Sequence, residues 1–481
     1  MTNNIDYSYN KNIATKLIHW SVNSVPNSIR QKLHNLERDD RARVCKLLAY
    51  YKGDQMLYYL DHLIDQTYAD AIEKEQLKRR KGIQNIIPYV CSNVANVFKN
   101  GVYIEAINPA DQDIYDYIFK TNNLDVMMKE LEKLIFLVKT MFVNSHWDEN
   151  EETVRFSLIA PHKVEVVTSD YDYTKLDSFN YILCNISAQY QNGINVLVPT
   201  VSNDKLRFAQ WTKDNYYIFD INGMAQKNDM NIDNVNPYSI IPFTRFRDNY
   251  QYDECYIQWP GVDLENAQDN INIHKTELNY LFALQAFSIP VMTNPDTSQF
   301  DRNTGQLKIP FGPGQPIIQH NNDENKPLSD FKYVSPDAKF AELQEAINKD
   351  VETILYMYGV NISELVPSGN KPSGDSLQAA SRLLDEQREN KKLLYVNAIK
   401  DLMNVAKTIW NVENPNLQIK DDVTVEIMDS EIYIPLEQKV ANYTWELENN
   451  LTTLPDILMN ENDDISNSDE AVEIINKNID I

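Results

Sequence analysis

The chain has few of the residues that form covalent or metal cross-links. Its 481 residues include only four cysteines and seven histidines. No two cysteines form a CxxC pair, which favours a reducing compartment over a disulfide framework. No two histidines lie three or four residues apart, so no single helix would present a zinc-binding pair. The sequence therefore predicts neither a metal site nor any other cofactor. The cysteines are Cys45, Cys91, Cys184 and Cys255.

Long hydrophobic runs are also missing. The most apolar stretch, Leu278–Met292, is interrupted by Asn279, Gln285 and Pro290. It falls short of the ~20 apolar residues that span a bilayer. The first six residues, Met-Thr-Asn-Asn-Ile-Asp, lack the basic and apolar regions of a secretory leader. We therefore expect no membrane partner and no secretion signal.

Positive charge is scarce. The chain has 45 Lys and Arg against 70 Asp and Glu, a formal net charge of −25. Affinity for phosphate backbones comes from Lys and Arg that release counterions. The composition thus argues against a protein that grips nucleic acid by a general basic surface. The one dense basic run, Lys78–Lys81, is interpreted as a solvated loop, with a phosphate or partner contact as the alternative.

Motifs of enzyme active sites are absent or broken. Residues 369–376 nearly spell a P-loop, but Asp375 stands where a lysine must reach the β- and γ-phosphates. No Gly-x-Ser-x-Gly nucleophile motif occurs. Acidic pairs leave a Mg²⁺-dependent nuclease open as an alternative, although solvated surface is the simpler interpretation. These pairs are Asp111 with Asp113 and Asp170 with Asp172.

The first half of the chain changes its hydrophobic period once. Residues 1–66, 84–99 and 110–145 carry apolar side chains at helical spacing, and Val102–Ile104 begins a strand. From Thr153 to Phe219 the period is two, with turn residues between short runs. The pattern predicts a mixed α+β fold with a β-rich domain in this region.

The second half predicts three long helices. Apolar stripes mark helices at 263–288 and 335–358, with short strand signals between them. A very long helix follows from Asp375 to Val412, apolar at both ends, with a charged gap at 385–392. The gap predicts that the middle of this helix is hydrated or pairs with other charges. Beyond it we expect a strand pair, 417–419 with 423–428, and helices at 435–450 and 468–478.

Several motifs, taken in order, resemble those of tailed-bacteriophage portal proteins, the head-to-tail connector family. The likeness is sharpest at Pro372–Ala380, with the sequence Pro-Ser-Gly-Asp-Ser-Leu-Gln-Ala-Ala, which is similar to the loop and long helix of that family. Earlier motifs that fit the same order are Tyr50-Tyr-Lys-Gly53, Gly101-Val-Tyr-Ile104, Ile240-Ile-Pro-Phe243 and Gly261-Val-Asp-Leu-Glu-Asn266.

The resemblance implies a portal fold made of consecutive parts. Long stem helices would join a β-rich wing, a small α/β clip and a helical crown built on one long helix. The implied parts are a wing at 1–260 (helical at 1–150, β-rich at 151–260), a first stem helix at 261–288, a clip at 289–334, a second stem helix at 335–360, a tunnel loop at 361–374, a long wing and crown helix at 375–412, and the crown with an acidic C-terminal tail at 413–481.

The resemblance also implies a structural role without catalysis. The family forms a dodecameric ring at one capsid vertex, through which double-stranded DNA passes during packaging and ejection. Its partners are the terminase large subunit, the major capsid and scaffolding proteins, and head-completion (adaptor) or tail proteins. The location would be the virion, after assembly in the host cytoplasm. A virion assembly protein without a channel is a further alternative.

The tunnel loop would touch DNA without reading its sequence. Its polar side chains could contact the phosphate backbone, while the negative charge of the remaining chain would repel phosphates and keep DNA from sticking. The candidate contact residues are Ser363, Ser368, Asn370, Lys371 and Ser373.

Overall fold

The chain divides into two compact units. The larger comprises Met1–Pro367 and Ala380–Ile427, and the smaller comprises Ser368–Ala379 and Met428–Ile481. Helices and sheets both contribute, which agrees with the predicted α+β class. The structure, a computed structural model, describes residues 27–54, 56–191, 194–202, 205–220, 225–226, 234–250, 255–286, 289–293, 330–334, 340–360, 374–428, 436–449, 451–461 and 467–479.

The described part of the chain begins with helices, as the apolar spacing predicts. The helix predicted at 84–99 is shorter than expected, because the backbone leaves the helical conformation at Ala95. The carboxylate of Glu132 accepts the N–H groups of Val97 and Phe98 and so stabilises the turn that follows. The helices are α1 Asn27–Lys52, α2 Met56–Thr67, α3 Ala71–Lys78, α4 Ile87–Val94, α5 Gln112–Thr121 and α6 Leu124–Val138.

The prediction of a helix through residue 145 is wrong at its end. Helix α6 stops at Val138, Lys139 adopts a left-handed conformation with φ 66°, and strand β2 (Thr140–Asp148) follows. β2 is the middle strand of a three-stranded sheet, and Met141, Phe142 and Val143 are all buried. A strand covered on both faces loses its alternating pattern, so its apolar run cannot be told from a helix by period alone.

The predicted β-rich region forms antiparallel sheets. One sheet has the strand order β10-β9-β8-β5-β4, another has the order β11-β2-β3, and β6 pairs with β7 as a hairpin. The hairpin packs on α1 through Ala188 and Leu197, which contact Ala42 and Cys45. The strands are β3 Thr153–Ile159, β4 Val164–Ser169, β5 Asp172–Ile182, β6 Ile186–Gln191, β7 Ile194–Pro199, β8 Arg207–Thr212, β9 Tyr216–Asp220, β10 Ala225–Gln226 and β11 Phe243–Arg247.

The strand pair expected near residue 420 forms with a different partner. Strand β14 (Val423–Ile427) pairs with β1 (Val102–Ala106), in a register from Val102 opposite Ile427 to Ala106 opposite Val423. The segment 417–419 is not a strand. Pairing with a strand more than 300 residues away leaves no trace in local periodicity, whereas a nearby hairpin is the default expectation.

The long helices lie close to their predicted positions. They are α7 (Asp263–Ala286), α8 (Phe340–Met357) and α9 (Gly374–Glu413). Between α7 and α8, the described residues form an antiparallel pair of strands, β12 (Ile289–Thr293) and β13 (Asp330–Val334). The rest of the predicted clip lies outside the described residues.

The smaller unit contains three helices among its described residues after β14. They are α10 Leu436–Glu448, α11 Leu454–Glu461 and α12 Ser468–Ile479. The first and last confirm predicted helices, whereas α11 was not predicted. Pro455 stands at its second position, where the missing N–H costs no helical hydrogen bond.

The structure bears on two observations from the sequence: the small number of cysteines and the lack of long hydrophobic runs. All four cysteines are free, and burial raises the pKa of the Cys45 and Cys91 thiols to about 12. In the described ranges, no helix combines the length and the apolar character needed to cross a bilayer.

A ladder of side-chain amides on α7 holds an irregular segment of the chain. Residues 81–86 adopt neither helix nor strand but run along α7. The N–H of Ile86 donates to Gln268 Oε1 at 2.9 Å, and Gln268 Nε2 donates to the carbonyl of Gln84 at 2.8 Å. Further rungs join Gln84 N–H to Asn272 Oδ1 at 3.2 Å, Gly82 N–H to Thr276 Oγ1 at 3.0 Å, and Asn279 Nδ2 to the Arg80 carbonyl at 3.3 Å.

The close approach of this segment to α7 requires glycine at position 82. A Cβ added to Gly82 would lie 2.6 Å from the carbonyl oxygen of Lys275, an atom of the α7 backbone. We expect Gly82→Ala to lower the free energy of unfolding by about 1–3 kcal/mol, the usual cost of overpacking. Urea unfolding followed by circular dichroism measures it. Gly261→Ala is the matched control, since its Cβ would meet nothing closer than 3.7 Å. Equal effects of the two substitutions would contradict the prediction.

Candidate functional site

The helices predicted to form a stem, α7 and α8, pack against each other in antiparallel fashion. Near one end Phe282 stacks on Phe340 with ring centroids 4.4 Å apart. Further along, His274 Nδ1 lies 3.3 Å from Asp350 Oδ2. The contact positions rise along α7 as they fall along α8, which defines the antiparallel direction. An aromatic pair of this kind contributes about 0.5–1.5 kcal/mol beyond its buried area.

Helix α8 presents an acidic face. Ile347, Ile354 and Leu355 are buried, while the charged side chains of this helix are exposed or half-exposed. The face bears net negative charge, and such a surface repels phosphate. The charged residues are Glu342, Glu345, Asp350 and Glu352 against the single Lys349.

A half-buried ionic cluster joins α1 to α7. Lys46 Nζ lies 2.9 Å from Glu265 Oε1 and 2.5 Å from Asp269 Oδ2, and Arg43 Nε lies 3.2 Å from Glu265. The Tyr50 hydroxyl donates to Asp269 at 2.6 Å. Burial raises the pKa of Asp269, against the lowering effect of Lys46. Burial opposes the charge on Lys46, but the two carboxylates outweigh it and raise the Lys46 pKa. The cluster fixes α1 on α7.

The basic run at 78–81 is engaged within the chain. Three of its cations pair with carboxylates of α2 and α3, and the guanidinium of Arg80 lies 5.8 Å from the ring centroid of Tyr280 on α7. Internal pairing leaves less of this charge for phosphate than the sequence alone indicates. The ion pairs are Lys78–Asp65 at 2.7 Å, Arg79–Glu75 at 2.5 Å and Lys81–Asp61 at 2.6 Å.

The charged middle of the long helix α9 pairs with charges from elsewhere in the fold. Lys391 Nζ lies 2.5 Å from Asp248 Oδ1, and Lys139 Nζ lies 2.8 Å from Asp248 Oδ2. Burial alone would raise the pKa of Asp248, but the two ammonium groups outweigh it and hold the pKa below its usual range. Of the two sequence interpretations, hydration or pairing, pairing holds for Lys391.

The predicted DNA-contact residues lie outside the described part of the chain. Val360 is the last described residue before the predicted tunnel loop, and Gly374, its last predicted residue, already begins α9. The P-loop-like sequence at 369–376 falls mostly in the same gap. The residues concerned are Ser363, Ser368, Asn370, Lys371 and Ser373.

One member of each acidic pair considered for a nuclease takes part in local structure. The buried Asp111 carboxylate accepts the N–H groups of Lys420 at 3.0 Å and Asp421 at 3.3 Å. Asp172 accepts hydrogen bonds from the Thr174 hydroxyl and, at 3.0 Å, from the Thr174 N–H, and these bonds lower the pKa of Asp172. Across the residues that the structure describes, no three His, Cys, Asp or Glu side chains are grouped to hold a metal ion.

A cleft that sequence analysis did not predict lies between β11 and α9. Its volume is about 520 Å³, and Tyr250 and Tyr256, which follow β11, form part of its wall. The guanidinium of Arg245 lies 3.8 Å from the ring centroid of Tyr256, and that of Arg247 lies 5.1 Å from Tyr250. The only sequence signal was the unusual aromatic content of residues 249–256.

Comparison with known proteins identifies the family. The profile of the family described as "Phage portal protein, SPP1 Gp6-like" matches residues 30–479, nearly the whole chain. The chain belongs to this family of phage portal proteins, a structural and non-enzymatic family of virion head-to-tail connectors. No curated protein sequence matches the chain.

Two solved structures are similar to parts of the chain. One is the virion of a native gene transfer agent particle, with 10% identity, a TM-score of 0.39, and coverage of 80% of this chain and 90% of that chain. Another is the neck of an empty gene transfer agent particle, with 9% identity, a TM-score of 0.37, and coverage of 78% and 88%.

The ion pairs of Lys139 and Lys391 with Asp248 predict how the stability of the chain depends on pH. In the native chain the pKa of Asp248 is lowered, so its stabilisation is present above the unfolded pKa of about 3.9 and is lost as pH falls through the folded pKa. In the double variant Lys139→Met with Lys391→Met, only burial acts and the folded pKa rises above 3.9. Stability should then fall as pH rises from 4 to 7.

Urea unfolding at several pH values measures this change in the pH dependence of stability. The single variants each retain one ammonium group, so the double variant should lose more than their sum, by about 0.5–3 kcal/mol. Additive losses with an unchanged pH profile would show that Asp248 does not depend on the pair.

Proposed function

We propose that the chain assembles into a dodecameric ring at one capsid vertex and serves as the conduit for double-stranded DNA during packaging and ejection. The family match over residues 30–479 carries this proposal. The antiparallel pair of α7 and α8 supplies two helices per subunit that can stand side by side around an axis. The virion is the corresponding location, with assembly in the host cytoplasm.

The electrostatics suit a conduit that must not bind its cargo tightly. Twelve copies at −25 each would carry about −300 formally. The acidic face of α8 and the internal pairing of the basic run both reduce phosphate binding. DNA would therefore slide past walls that repel it. Contact would be confined to the tunnel loop at 361–374, through Ser363, Ser368, Asn370, Lys371 and Ser373.

The parts of the subunit would divide the remaining tasks. The clip at 289–334 would dock the terminase large subunit and later the head-completion or tail proteins. The wing at 1–260 and the crown at 413–481 would meet the major capsid and scaffolding proteins. The packing of α2, α3 and residues 81–86 on α7 supports one addition. These N-terminal elements brace the first stem helix from outside.

Native mass spectrometry and negative-stain electron microscopy of the purified chain test the assembly. We expect rings of about a dozen subunits with a central hole. A stable dimer that cleaves DNA with Mg²⁺ would contradict the proposal and return attention to the Asp111 and Asp172 turns. A closed assembly without a central channel would contradict the conduit and favour a different assembly role.

The tunnel loop is tested by reversing its charge. Lys371→Glu should lower the amount of DNase-protected DNA per particle, because a carboxylate repels the phosphates that the lysine would meet. Ring formation should stay intact in the same preparation. Lys129→Glu, at an exposed position on α6, is the control for the change in net charge. Packaging that is equal in both variants would exclude a DNA contact by Lys371.

A further inference from the structure

The open face of α9 carries a row of polar side chains beside the cleft. Asn397, Asp401, Asn404 and Thr408 all line it. The row covers twelve residues, about 16 Å of helix from first to last, which matches roughly five residues of extended chain. Within the described chain, the side-chain amides of Asn397 and Asn404 make no hydrogen bond. This wall of the cleft can therefore accept and donate hydrogen bonds.

The opposite wall is the edge of a sheet. Strand β11 is the outer strand of the order β11-β2-β3, and among the described strands it pairs only with β2. An edge strand is a template for the addition of another strand. Thr244 on β11 lines the cleft, is only 4% exposed, and its hydroxyl has no hydrogen-bond partner. A buried hydroxyl without a partner costs stability, and a docked segment completes its bonding once the Thr244 side chain turns toward the cleft.

The same chain already shows what such a row of residues binds. On α7, Gln268, Asn272, Thr276 and Asn279 hold the irregular backbone of residues 81–86. That row also covers twelve residues, and it consists of amide and hydroxyl groups, whereas the row on α9 includes the carboxylate of Asp401. On α7 the bound segment is in place. On α9 the row faces an open cleft of about 520 Å³.

We propose that an extended segment of a second copy of this chain docks in the cleft, adding a strand to β11 and bonding its backbone to the amides of α9. This inference rests on the proposed assembly of copies into a ring. Recognition through main-chain groups gives affinity with little demand on the docked sequence. The docked segment would complete the bonding of Thr244, so the site is incomplete without the neighbouring copy.

Charge favours a second copy as the occupant. Each copy carries −25, so two copies repel unless cationic groups lie at their contact. The cleft places Arg245 and Arg247 two residues apart on the same strand, against the single carboxylate of Asp401. An acidic segment from a neighbouring copy is therefore complementary to this wall.

Photo-crosslinking of the full chain tests the occupant. A benzophenone amino acid replaces Asn397, rings are formed from an equal mixture of isotope-labelled and unlabelled chains, and linked peptides are mapped by mass spectrometry. We expect mixed-label links from position 397 to one extended segment. The same probe at Val126, 68% exposed on α6, should not yield that link.

Each other outcome overturns the proposal in a recognisable way. Links only within one copy would show that the chain fills its own cleft. Rings without links at 397 would refute the docking site and leave the proposed function standing. Chains that never associate would refute both. Links to a different protein in assembled particles, and none between copies, would assign the cleft to that partner.

A matched pair of substitutions gives a second measurement. Thr244→Val should leave the dissociated chain as stable or more stable, because it removes a hydroxyl without a partner. It should weaken ring assembly by about fivefold per subunit, the factor for one hydrogen bond. Thr153→Val is the control, since Thr153 on β3 is also buried with no partner for its hydroxyl but does not line the cleft. Equal effects on assembly would overturn the proposal.

Discussion

Buried backbone groups must find hydrogen-bond partners, and α7 meets that demand for residues 81–86. The segment adopts neither helix nor strand, so its backbone groups are not paired within a regular element. Gln268, Asn272 and Thr276 supply the missing partners from one face of α7. Each group left unpaired would cost about 1–3 kcal/mol. This ladder helps to set the position of α7 relative to the segment that joins α3 to α4.

Several positively charged side chains also form ion pairs within the chain, although the chain is acidic overall. Lys46 links α1 to α7, and Lys391 links α9 to Asp248. Partly buried pairs are screened less by salt than pairs at the surface. These ion pairs neutralise positive charge that could otherwise attract phosphate. The acidic face of α8 therefore reflects two facts: the chain has few cations, and several of them are paired elsewhere in the fold.

Sequence reasoning recovered the elements whose signal is local and missed those decided by distant contacts. The span of α9 was predicted within one residue at each end, because its apolar stripe and the glycine before it are local features. β14 was assigned the wrong partner, since its pairing with β1 crosses most of the chain. The polar row on α7 was not predicted, because only the apolar stripe of this helix gives a periodic signal in the sequence. The cleft beside α9 was not predicted either, because it lies between β11 and a helix about 150 residues later in the chain.

The two polar rows consist mainly of neutral side chains, with Asp401 on α9 as their one charged member. An amide bonds an extended backbone without adding charge, so it fixes a segment while leaving the electrostatics of the surface unchanged. An apolar stripe would bury area but could not satisfy main-chain N–H and C=O groups. A charged row would satisfy some of these groups at a large desolvation cost. In a subunit proposed to surround DNA, neutral joints let chain segments be held in register while the net negative charge stays on the surfaces that the cargo would pass.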